Sequence, residues 1–123
     1  LDNQQKPYSL GVRSNGSYYM LRDEPVLCFN LGKVDCVDVS RLTLTSLTLY
    51  GQIYGSSIVV RIYDQQARTW DTINSPGLPM TLSEENLSRY MDGEGNVFLR
   101  VSQQGGRDGE LDTPALAFEG KVN

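Results

Sequence analysis

The clearest apolar segments of this chain alternate, with an apolar residue at every second position. In the stretch IVVRIYDQQARTWDTI, Ile58, Val60 and Ile62 share one phase and Val59, Arg61 and Tyr63 the other. A period of two places alternate side chains on opposite faces of an extended strand, so one face can be buried and the other wet. Gln65-Gln66-Ala67-Arg68 interrupts the run and TWDTI returns from it, which reads as a hairpin. GNVFLRV repeats the pattern, with Val97, Leu99 and Val101 against Phe98 and Arg100. PALAFEGKV repeats it again, with Leu116 and Phe118 against Ala117 and Glu119.

The remaining segments agree. A short strand is expected around Tyr8–Arg13, and SYYMLRD and PVLCFNL have strand-forming residues. RLTLTSLTLYGQIYG is dense in Thr, Leu and Tyr, but its alternation slips at Thr45-Ser46. Leu42 and Leu44 fall in one phase and Leu47 and Leu49 in the other, which predicts a bulge or a loop end there. QQGGRDGELD reads as a polar turn between two strands. The one helical signal is TLSEENLSRYM, where Thr81 and Glu84 have capping-box spacing and Leu87, Tyr90 and Met91 form an apolar stripe. The pattern predicts an all-β fold, an antiparallel β-sandwich of jelly-roll type with one short helical turn.

A chain of 123 residues is long enough to bury a core and is read as one domain, 1–123, with the polar segment 1–15 held loosely. The formal net charge of −4 argues against nucleic acid as a partner, because phosphate binding needs a basic surface. No apolar run approaches the length that inserts in a bilayer. The chain has no histidine, which removes the usual general base and a four-ligand zinc site built with two cysteines. Neither a catalytic triad nor a phosphate-binding glycine motif can be found, and an enzyme is not expected.

Cys28 and Cys36 lie at equal distances on either side of Gly32 in VLCFNLGKVDCVDV. A hairpin centred on that glycine would set them opposite each other, with Cα atoms about 4.5–5.5 Å apart, which a disulfide can span. Such a bond belongs in an oxidising compartment, so a secreted or cell-surface protein is expected. Two buried free thiols in a reducing compartment are the alternative.

Taken in order, Leu47-Thr48-Leu49-Tyr50-Gly51, Ile58–Tyr63, Thr69-Trp70, Leu87–Tyr90, Asp92 and Gly95–Val101 form a recognisable succession. It resembles the galactose-binding-like (discoidin-type jelly-roll) accessory modules of secreted prokaryotic proteins. The resemblance spans roughly residues 16–122. It implies a non-catalytic module that attaches to carbohydrate or assembles with surface proteins. The cysteine hairpin is not part of that pattern.

Candidate site residues follow from the phases. Trp70, the single tryptophan, closes the hairpin and is expected in the core or at its edge, with a platform for a sugar ring as the alternative. Arg61 and Tyr63, with Phe98 and Arg100, point away from the apolar phase and are the expected ligand-binding side chains: aromatic faces stack on sugar rings and guanidinium forks pair with hydroxyls. An ordinary solvated sheet face uses the same residues. Tyr18, Tyr19, Tyr50 and Tyr54 either line loops or pack beneath them. Asp92-Gly-Glu-Gly-Asn96 and Asp108-Gly-Glu-Leu-Asp112 read as glycine turns, and the resemblance allows a structural calcium at such loops; no other cofactor is implied and no metal ligands are assigned. The expected function is a non-catalytic, extracytoplasmic, carbohydrate-binding module. The alternative is a protein assembly or adhesion module, including a homo-oligomer joined through an open strand edge.

Overall fold

Two long strands carry the architecture. The computed structural model describes residues 7–14, 18–31, 39–74 and 77–122. The strands are β1 (Pro7–Ser14), β2 (Tyr18–Met20), β3 (Val26–Asn30), β4 (Leu42–Asp64), β5 (Thr69–Ile73), β6 (Met80–Ser83) and β7 (Asn96–Val122). Strand β4 has 23 residues and β7 has 27. They pair antiparallel from Leu42 opposite Val122 to Ile62 opposite Leu99. At one end of this ribbon β1 flanks β7 and β6 flanks β4; at the other end β3 flanks β7 and β5 flanks β4. The short β2 pairs with β7 between them. The described strands thus form one antiparallel sheet of seven.

Strands this long cannot stay flat, because each added residue adds twist. The β4–β7 register shifts at Leu44/Ser46, Tyr50/Gln52, Tyr54/Ser56 and Ser56/Ile58. Each bulge bends the ribbon and increases its twist. The sheet curls until its two halves face each other as a sandwich. Leu47, Leu49 and Leu116 from one half meet Ile62, Ile73 and Leu99 from the other, around an apolar gap of about 10 Å³. That is too small for a ligand. Ile58, Val60 and Ile62, then Val97, Leu99 and Val101, then Leu116 and Phe118 are all buried, as their alternation requires.

The phase slip at Thr45-Ser46 is a bulge, and it leaves Leu42, Leu44, Leu47 and Leu49 all buried. The segment TLSEENLSRYM, expected to form a short helix, is reduced to less than that. Its first part is β6, with Thr81 opposite Thr48 and their hydroxyl oxygens 3.1 Å apart. Just beyond, Glu84 N–H donates to the Thr45 carbonyl (3.2 Å), and Leu87 N–H donates to the Leu44 carbonyl (2.7 Å). Backbone donors committed to β4 cannot close helical turns, so the capping-box spacing has nothing to cap. What remains is a 3-10 turn at Ser88–Tyr90, one of three among the described residues, with Leu21–Asp23 and Val39–Arg41.

A second correction concerns QQGGRDGELD. It is no turn between strands: β7 runs through it, with Gln103 opposite Ile58, Gly106 opposite Ser56 and Glu110 opposite Tyr54. The extra residues are taken up by bulges on either side of Ser56. Strand β1 extends the short strand expected at the N-terminus and pairs with Ala115–Lys121. Cys28 carries a free, exposed thiol on β3. Cys36 and the Gly32 turn lie outside the described residues.

Candidate functional site

The β4–β5 hairpin is set by its turn. Asp64 is buried, at 6% exposure, and its Oδ1 accepts from the backbone N–H groups of Gln66 and Ala67, both at 2.9 Å. Arg68, at φ 59°, closes the turn by donating its N–H to the Asp64 carbonyl at 2.8 Å. This fixes Asp64 opposite Thr69, and therefore Tyr63 opposite Trp70 and Arg61 opposite Thr72. Residues directly opposite share a face.

Arg89 braces the hairpin from beneath. Its guanidinium pairs with Glu84 at 2.9 Å and lies 3.5 Å from Asp64. It also donates to the Tyr90 hydroxyl at 2.8 Å, and that hydroxyl donates to Asp71 Oδ2 at 2.8 Å. Burial, then the hydrogen bond to Asp71, pushes the Tyr90 phenol up to about 12. A phenol so placed stays protonated and holds β5 rather than moving protons.

Next door, β7 places Arg100 opposite Arg61, while β3 on its other side places Val26 opposite Arg100 and Cys28 opposite Phe98. The four expected site residues therefore do share one sheet face, the outer one, across β3, β7, β4 and β5. Tyr63 and Trp70 pack edge to face, with ring centroids 5.1 Å apart and an interplanar angle of 61°. The Arg100 guanidinium lies 5.9 Å from the Trp70 ring centre. Arg100 reaches Glu24 at 3.6 Å, and Arg61 donates to Ser102 Oγ at 3.4 Å.

Trp70 itself is a correction. It is absent from the core and half-buried on this outer face; the inward phase of β5 belongs to Asp71 and Ile73. Its position was readable from turn length, since a four-residue turn between Asp64 and Thr69 forces Trp70 onto the face of Tyr63. Val26 and Cys28 also join the face, and nothing in the sequence places them there, because β3 reaches it only by pairing with β7.

A second outer surface lies at the middle of the ribbon. Asp112 on β7 sits between Gln52 and Tyr18, and Glu110 between Tyr54 and Met20. Tyr18, Tyr50 and Tyr54 are exposed, at 54%, 45% and 48%, whereas Tyr19 packs on the core. A hydrogen bond to Glu110 leads the causes that push the Tyr18 phenol up to about 12.

The glycine loop at Asp92 is a turn closed by its own N–H groups. Asp92 Oδ1 accepts from Glu94 N (2.9 Å) and Asn96 N (2.8 Å), and Oδ2 from Asn96 Nδ2 (3.0 Å). Burial raises this carboxyl, but those donors outweigh it and hold the group below its ordinary value. Asp108 pairs with Arg22 at 3.1 Å. Among the described residues no three acidic or cysteine side chains gather as metal ligands.

Fold and surface define an all-β sandwich domain with an aromatic and guanidinium-bearing outer face. The chain belongs to the family described as a domain of unknown function (DUF8815), whose model matches residues 1–120. No curated protein matches the sequence. Among solved structures, the Drosophila NLP core, described in connection with pentamer formation and histone binding, is similar at 10% identity and a TM-score of 0.35, over 80% of this chain and 97% of that one. The structure of infectious bursal disease virus, Gx strain, is similar at 14% identity and a TM-score of 0.26, over 96% of this chain and 36% of that one. Neither likeness is close enough to bear on function.

Proposed function

We propose that this domain is a non-catalytic binding module of a secreted or cell-surface protein, and that its outer β3–β7–β4–β5 face meets carbohydrate. The observation that carries the reading is the gathering of Tyr63, Trp70, Phe98, Arg61 and Arg100 on one half-exposed face. Aromatic rings offer flat apolar area to sugar C–H groups, and guanidinium forks offer paired donors to hydroxyls. The edge-to-face contact between Tyr63 and Trp70 fixes both rings before a ligand arrives, which lowers the ordering cost of binding. The resemblance to galactose-binding-like modules supports the same reading.

A second reading, assembly with another protein or with copies of this chain, is favoured by the exposed tyrosines Tyr18, Tyr50 and Tyr54. Tyrosine is enriched at protein interfaces.

A glycan array probed with the purified protein, with calcium and with chelator, tests the first reading. Tyr63→Ala and Trp70→Ala are expected to weaken binding about tenfold each, as loss of one stacking contact predicts, and Tyr54→Ala to leave it unchanged. An array with no bound glycan in either condition would reject carbohydrate, and light scattering would then decide whether the chain self-assembles.

A further inference from the structure

Arg61 and Arg100 stand directly opposite each other on neighbouring strands. Like charges at such positions oppose pairing, and a protein with net charge −4 has carboxylates enough to separate them. Yet among the described residues Glu24 alone makes an ion pair here, to Arg100 at 3.6 Å. Arg61 has only the neutral Ser102 hydroxyl, at 3.4 Å. Across β5 its opposite residue is Thr72, and across β3 the residue opposite Arg100 is Val26, so neither flanking strand supplies an anion. Arg100 Nε is buried without a hydrogen-bond partner, although the side chain as a whole is 36% exposed. Two facing guanidiniums beside an aromatic pair thus have one carboxylate in reach, and it pairs with Arg100 alone.

We infer that the glycan bound on this face is an acidic one, whose carboxylate or sulfate group lies between Arg61 and Arg100 while a neighbouring ring stacks on Tyr63 and Trp70. The inference rests on the carbohydrate reading above and narrows it to uronate-bearing or sulfated sugars. The ligand anion would supply the missing counter-charge, and guanidinium forks match carboxylate and sulfate oxygens in paired geometry.

Isothermal titration with oligogalacturonate, a sulfated galactan oligomer, the unsulfated galactan oligomer and sodium sulfate alone tests it. At least one acidic oligomer is expected to bind at least tenfold more tightly than the neutral one, with affinity falling as salt rises. Arg61→Gln and Arg100→Gln are each expected to abolish that preference, and Arg107→Gln to keep it. Thermal melts separate the effect from misfolding: Arg61→Gln removes a like-charge pair, so its melting temperature should hold or rise while acidic binding falls. Equal affinity for neutral and acidic oligomers, a preference that survives both substitutions, or inorganic sulfate binding as tightly as the sulfated oligomer would overturn the inference. If none of the oligomers bound, the carbohydrate reading would fail with it; if the neutral one bound as well as the acidic ones, only the acidic assignment would.

Discussion

Asp92 carries the pH dependence that the turn chemistry predicts. Its carboxylate accepts from Glu94 and Asn96, which favours the charged form in the folded state. Its folded pKa therefore lies below the unfolded one. The unfolded chain binds the proton first as pH falls, so the stabilisation is complete above the unfolded value, about 4, and is lost as pH drops through the folded value. Urea denaturation between about pH 5 and about pH 3 should show wild-type stability falling more steeply than that of Asp92→Asn. Parallel curves would mean the loop does not depend on this charge. The sequence showed Asp92 as a turn residue, but not that Asn96 would close on it from both backbone and side chain. Trp70 failed in the opposite way: its bulk suggested the core, whereas the hairpin register, itself legible, turned it outward.

The bends of β4 and β7 rest on glycine where two backbones approach. Gly55 has φ +83°, and a Cβ there would sit 2.7 Å from the Asp108 carbonyl oxygen. Gly105 has a similar φ of +73° but open space around it. Gly105→Ala should cost about 1 kcal/mol, the penalty for a left-handed residue with a Cβ. Gly55→Ala carries the same penalty plus a backbone collision, and should cost at least about 2–3 kcal/mol in chemical denaturation. Equal losses would show that the ribbon yields at Gly55. The bulge at Thr45 was visible in sequence because four leucines changed phase across it. The bulges near Ser56 were not, because polar and glycine residues carry no phase, and so one strand of 27 residues read as two strands and a turn.

For the molecule as a whole, the compartment remains tied to the cysteines. Cys28, exposed as a residue, has a free thiol raised above its ordinary pKa, by partial desolvation against its neighbours first and then by the Asp92 charge. A raised thiol ionises less at neutral pH and exchanges slowly. Protein recovered from an oxidising compartment is expected to carry the Cys28–Cys36 bond, seen by non-reducing mass spectrometry as the loss of two hydrogens. Two free thiols would remove the main support for an extracytoplasmic location. The all-β class and the buried phase of each major strand were determined by sequence alone, since a period of two allows one buried face per strand. Only the tertiary structure decided that two long strands run through both halves of the sandwich, that β6 takes up the start of the expected helical segment, and that Arg61 faces Arg100. These depend on which strands pair and in what register, and pairing between distant segments is set by packing of the finished core rather than by any local pattern.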